Sequence, residues 1–425
     1  MNETSTPNPA SAFQVRDFRL LTQARFLFAF ATQAQSVVLG WQIYEIKHDP
    51  LYLGLAGLAE AVPALSLAIF AGHLTDRGNP LTIYKNVVRL TFLASLLLLL
   101  VSGSFLGADP LAKLPWIYSA AFIAGIARGF SGPSLYSLVP QLIKRDLLKI
   151  SAAWITAAFQ IAAVSGPAIG GILFALRGAD LPYTLNAVML LGALGSLALI
   201  RHRPTVKAPD LTKPWLEGLF SGLKFVFSHD LLLSALAMDM FAVFFGGVSA
   251  VLPIFAGDIL HCGPRGLGML RASPAVGALL MSAYLIRKPV DRGAGKILLS
   301  VVAGFGFCII GFALSRNFLL SAFLLVLSGA LDSVSMVMRS AIVQLSSPDS
   351  MRGRIASINY IFIGSSNELG AFESGVAAKL LGTVPSVIFG GAMTLVTVGL
   401  TAVFAPRLIK LSLSDLEKSK NSSTR

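Results

Sequence analysis

Residues Ile297–Leu314 read ILLSVVAGFGFCIIGFAL, 18 residues without a charged side chain. As a helix rising about 1.5 Å per residue, such a run covers roughly the thickness of a bilayer's hydrocarbon layer. A strand reading fails, because the run is continuous and does not alternate in segments of about ten residues. Eleven similar stretches accompany it, at about Leu20–Glu45, Leu51–Thr75, Ile83–Leu106, Trp116–Leu138, Ile150–Leu176, Tyr183–Ile200, Leu231–Phe255, Leu267–Ile286, Phe318–Val343, Ile355–Leu381 and Val384–Phe404. Composition points the same way: the chain is 55% hydrophobic and only 13% charged. A soluble domain is about 25% charged, and so few charges cannot coat a water-facing surface of this size. The expected fold is an all-α membrane protein of twelve transmembrane helices.

The basic residues orient these spans. With the N-terminus in the cytoplasm, 23 of the 34 Lys and Arg residues fall on cytoplasmic segments, six fall on outer loops, and five (Arg25, Arg89, Arg128, Arg271, Arg339) lie within spans. This positive-inside bias supports an even number of helices and places both termini in the cytoplasm. The net charge of +13 therefore marks cytoplasmic loops, and no nucleic-acid partner is expected.

The longest connection, Arg201 to Asp230, lies near the middle and ends in the amphipathic stretch Leu216–Phe227. It reads as a cytoplasmic linker with an interfacial helix. Residues 1–200 are then an N-terminal six-helix half, 201–230 the linker, and 231–425 a C-terminal six-helix half with a short tail. Asp76-Arg77-Gly78 after span two is echoed by Asp291-Arg292-Gly293 after span eight. Parallel halves of this kind are found in transporters. Cys262 and Cys308 imply no disulfide framework, and the five histidines show no metal-ligand spacing. No metal or cofactor is expected. The polar N-terminus MNETSTPNPASA lacks a basic start followed by an apolar core, so no cleavable signal peptide is expected.

Three motifs carry possible chemistry. GHLTDRGNP (Gly72–Pro80) forms the turn between spans two and three. There Asp76 would accept bonds from the N-terminal amides of a neighbouring helix, and Arg77 would pair across the halves as a gate latch. The plain alternative is a tight glycine turn with interfacial charges. Its second copy, IRKPVDRG (Ile286–Gly293), keeps Asp291 and Arg292 but lacks the leading glycine corresponding to Gly72. RGFSGP (Arg128–Pro133) puts an arginine inside span four, where it needs a cavity or a partner unless it snorkels to the inner face. SGPAIGG (Ser165–Gly171) offers Gly166, Pro167, Gly170 and Gly171, a pattern that lets helix backbones touch.

These motifs resemble the loop signature, the span-four arginine motif and the span-five exporter motif of the major facilitator superfamily. Further stretches resemble its enterobactin-exporter-like and macrolide-efflux-like branch, the transmembrane secretion effectors. They are ARF in span one, DPLYLGLAGLAEAVPAL (Asp49–Leu65), AMDMFAVFFGGVSAVLPIFA (Ala237–Ala256), GLGMLRASPAVGALL (Gly266–Leu280) and SSPDSMRGRIAS (Ser346–Ser357). The resemblance implies a monomeric transporter of the bacterial inner membrane that exports a siderophore or a hydrophobic drug in exchange for protons. It also implies a central cavity lined by spans one, four, seven and ten. Asp239 on span seven, Asp332 on span ten and Arg128 on span four can then face that cavity, with Glu60 on span two at its flank. Intramembrane acids mark ion or substrate paths, so the expected order of proton carriers is Asp239, Asp332, Glu60. The alternative for each is a static salt bridge with Arg271 or Arg339, or a hydrogen-bonded acid that stays neutral. Rival functions are an importer or symporter of a small metabolite, against which the span-five motif argues, and a lipid-modifying membrane enzyme. For the enzyme, no acid cluster or nucleophile grouping is present.

Overall fold

The computed structural model describes residues 11–103, 109–202, 223–288, 293–348, 351–409 and 411. Twelve helices of 17 residues or more run through them: α1 Arg16–Ile46, α2 Pro50–Arg77, α3 Pro80–Ser102, α4 Leu114–Leu142, α5 Leu148–Arg177, α6 Asp180–Ala198, α7 Asp230–Gly246, α8 Gly263–Arg287, α9 Ala294–Leu314, α10 Phe318–Ser346, α11 Arg352–Leu381 and α12 Thr383–Phe404. No strand occurs among the described residues. Nine of the helices are long and apolar enough to cross a membrane. The other three are α1 and α11, which carry several charged and polar residues, and α7, which is 17 residues long.

The chain divides into two compact units. The first takes the described residues of Met1–Ile46 and Ala59–Asp210, the second those of Lys47–Leu58 and Leu211–Arg425. In the first, α1 packs on α5 and α6, while α3 packs on α4 and α6. In the second, α7 packs on α11 and α12, while α9 packs on α10 and α12. The same pairings thus recur six helices later. Each unit has its own buried core. One is built on Phe18, Leu21, Tyr84, Leu138 and Leu190, the other on Leu232, Leu236, Leu298, Met338 and Ile342. Of the central linker, residues 203–222 lie outside the described residues, so the interfacial helix expected there does too.

Small residues decide how closely the helices approach. A Cβ added to Gly170 would sit 3.2 Å from Ala34 of α1, and one added to Gly166 would sit 2.8 Å from the Phe30 carbonyl. The span-five motif therefore packs α5 onto α1, and Pro167 and Gly171 are buried beside these glycines.

Span seven departs from the continuous helix expected over Leu231–Phe255. The α-helix ends at Gly246, residues 247–251 are non-helical, and a short helical turn at Leu252–Ile254 runs into a π-helical turn at Phe255–Ile259. A break inside a bilayer requires its freed carbonyls to be paired. Ser374 Oγ donates to the Gly247 carbonyl at 2.7 Å, and Arg271 donates to the Ser249 carbonyl at 2.9 Å. The adjacent glycines Gly246 and Gly247 mark the place of the break.

Candidate functional site

In the first unit, α4 meets α2 through glycine. A Cβ on Gly125 would lie 2.2 Å from the Glu60 carbonyl, and one on Gly129 would lie 3.0 Å from the Ala64 carbonyl. This close approach brings Arg128, one turn along α4, to Glu60 of α2, with Nη1 to Oε1 at 2.7 Å. Two residues expected at the cavity are thus one ion pair. Both side chains stay partly open, at 53% and 31% exposure, so water or a solute can reach the pair.

The second unit repeats the device with a different outcome. Gly329 of α10 abuts α8 at the Pro274 carbonyl, where an added Cβ would come within 2.0 Å. Three residues further along α10 stands Asp332, as Arg128 stands three after Gly125. Asp332 makes no hydrogen bond or ion pair with any other described residue. Asp239 of α7 differs: it forms a buried ion pair with Arg339 of α10 and accepts a bond from Ser335 Oγ at 3.3 Å. Asp239, Asp332 and Ser335 line one cavity of about 10 Å³, walled by Ala242, Val243, Val301, Val302, Phe305 and Leu331. That volume is near the minimum that holds one water molecule. The geometry sets the two acids apart: Asp239 is engaged by the Arg339 guanidinium, whereas Asp332 has no ion-pair partner among the described residues.

At the loop motif, a Cβ added to Gly72 would meet open space, whereas one added to Gly78 would come within 2.9 Å of Ile83 and of the Leu74 carbonyl. Arg77 is exposed. The side chain of Asp76, and both Asp291 and Arg292 of the second copy, lie outside what is described. The residue that does cap a helix here is Asn79, whose Oδ1 accepts from the amides of Leu81 and Thr82 at the start of α3. An Asn followed by Pro before an apolar run is a legible N-terminal signal. Arg339 and Ser335 carry no such local signal, since their partner is about a hundred residues away.

Ion pairs set inside long apolar helices, with the same helix pairings in both units, suit a membrane transporter, and the family model and relatives show one of the major facilitator type, not an enzyme. A solved structure of a bacterial homologue of the iron transporter ferroportin matches with a TM-score of 0.70 over 94% of this chain and all of that one, at 17% identity. The chain belongs to the transmembrane secretion effector family, whose model matches residues 7–424. Among curated relatives, the staphyloferrin A transporter of Staphylococcus aureus is 22% identical over 92% of this chain and 96% of that protein. The enterobactin exporter EntS of Citrobacter koseri is 24% identical over 94% and 92%. The multidrug efflux pump Tap of Mycolicibacterium fortuitum is 22% identical over 89% and 93%.

Proposed function

We propose that this protein is a proton-coupled exporter of a small amphipathic molecule, of siderophore or drug type, working by alternating access in the bacterial inner membrane as a monomer. Twelve spans in two six-helix halves, with both termini cytoplasmic, complete this reading. Its relatives include siderophore and multidrug exporters, which supports the direction and the cargo class. The observation that carries the coupling is the unpaired Asp332 beside the neutralised Asp239–Arg339 pair in a cavity sized for one water. Asp332 takes a proton while the cavity opens outward and releases it inward. Asp239 and Arg339 fix the local field, and Glu60–Arg128 is the second polar contact available to cargo or water.

Inverted vesicles energised by a pH gradient and presented with ethidium, a fluorescent amphiphilic dye, test this. Asp332→Asn should abolish gradient-driven uptake while leaving downhill exchange of dye in place. Full gradient-driven uptake by Asp332→Asn would refute the assignment. Uptake in right-side-out vesicles alone would reverse the direction in favour of an importer.

A further inference from the structure

One span arginine stands apart from the other four. Those four meet a carboxylate, carbonyl or amide oxygen: Arg128 meets Glu60, Arg339 meets Asp239, Arg271 meets the Ser249 carbonyl, and Arg89 meets the Asn86 side chain. Arg25, in the third turn of α1, forms no ion pair with any described carboxylate, and its Nε is buried without a hydrogen-bond partner. Its surroundings are aromatic. The guanidinium carbon lies 5.0 Å from the centre of the Phe159 ring on α5. Tyr84 of α3 is fully buried; its hydroxyl oxygen lies beside the Arg25 guanidinium, and its O–H has no acceptor among the described residues. An aromatic face attracts a cation but does not neutralise it. A half-buried cation with no carboxylate partner among the described residues, beside a buried O–H with no acceptor, lacks an anion.

We infer that Arg25, Tyr84 and Phe159 form a recognition site for a carboxylate or phosphate group, carried on the cargo. The guanidinium fork suits a planar or tetrahedral oxyanion, the Tyr84 hydroxyl supplies a further donor, and the Phe159 ring flanks the apolar or aromatic part next to that group. The site lies toward the Arg16 end of α1, the end that the basic loops assign to the cytoplasm, so an exported acid would meet it on loading. This deepens the export reading and rests on it for the cargo. The anion site itself requires no pH gradient. An anionic lipid headgroup offers the same chemistry from the inner leaflet.

The test uses the full chain in phosphatidylcholine nanodiscs, with citrate as the soluble probe at matched ionic strength. Citrate should raise the unfolding temperature of the wild type in a saturable way. Arg25→Gln should weaken citrate at least tenfold, Arg25→Lys and Tyr84→Phe several-fold each, and Arg25→Gln without citrate should be at least as stable as the wild type, since an unpaired charge is gone. In a second arm, discs containing phosphatidylglycerol replace citrate. Stabilisation there that blocks citrate and vanishes in Arg25→Gln assigns the site to a lipid headgroup and overturns the cargo assignment. Equal responses of wild type and Arg25→Gln to both anions, or a marked loss of stability in Arg25→Gln alone, overturns the site. Asp332→Asn should bind citrate normally, which separates failure of this site from failure of the coupling scheme.

Discussion

Replacing Asp239 by Asn leaves the Arg339 guanidinium buried between α7 and α10 with no counter-charge. Both side chains are almost wholly enclosed, at 7% and 3% exposure, and the cavity beside them has room for about one water. Solvent cannot substitute for the lost carboxylate. Breaking one partner of a buried pair costs about 3–5 kcal/mol, whereas replacing both by apolar groups of similar volume is often neutral. Asp239→Asn and Arg339→Met should therefore each destabilise by about that amount. The double variant Asp239→Leu/Arg339→Met should recover most of it, giving a coupling of at least about 2 kcal/mol. Cys308 is buried and Cys262 half-buried, and both are free thiols. Reaction of these native thiols with a fluorogenic maleimide during chemical denaturation thus reads unfolding. Additivity of the two single variants within about 0.5 kcal/mol would show that the pair is not coupled, and the proposal of Asp332 over Asp239 as proton carrier would lose its basis.

Three further outcomes are expected. Alanine at Gly72, Gly170 and Gly125 should form a graded series, near neutral for Gly72, about 1 kcal/mol or less for Gly170 and at least about 1–3 kcal/mol for Gly125. The order follows from an added Cβ meeting open space, Ala34 at 3.2 Å and the Glu60 carbonyl at 2.2 Å; thermal unfolding in any other order would discredit the close-approach geometry. Asp49 lies in the α1–α2 connection and accepts from Lys379 at 2.5 Å. Desolvation raises its carboxyl, but bonds from Lys379 and the Leu51 amide and the charges of Lys379 and Lys47 outweigh that and hold it below the usual range. A folded-state value below the unfolded one adds stability above about pH 3.9 that fades as pH falls through the lowered value. Asp49→Asn should remove that acid-side dependence at a neutral-pH cost under about 1 kcal/mol, since the pair is partly exposed; an unchanged acid limb would contradict it. Reporter fusions after Lys113 and after Arg425 should report outside and inside respectively, and the reverse of either would break the proposed topology.

Much of the helical frame was legible because a bilayer demands long apolar runs. The run at Ile297–Leu314 became α9, beginning three residues earlier at Ala294. The Gly166–Gly171 motif could be read as a packing face because backbone contact needs the absence of a side chain, which is a local property. The break in span seven was harder to read, since Leu231–Phe255 carries no charge apart from Asp239, and only the Gly246-Gly247 pair hinted at it. Pairings over long separations were least legible. Nothing around Asp239 or Asp332 distinguishes the acid that Arg339 neutralises from the one it leaves alone. That difference arises where α7 and α10 meet, and the same holds for Glu60 and Arg128, brought together by a glycine contact between α2 and α4.

The interruption at residues 247–251 bears on how the protein is made. At about 1.5 Å per residue, the 17 residues of α7 reach about 25 Å, short of a hydrocarbon layer of about 30 Å. The ribosome therefore delivers a helix at the short end of the range that crosses a bilayer. The group that closes the Gly247 carbonyl, Ser374, emerges 127 residues later. Until then that carbonyl must be satisfied by translocon, lipid headgroup or water. The second unit thus has a built-in wait in its biogenesis: its first helix is completed by its fifth, and chains truncated before α11 should be held by insertion chaperones or degraded, while chains truncated after the sixth helix carry no such debt.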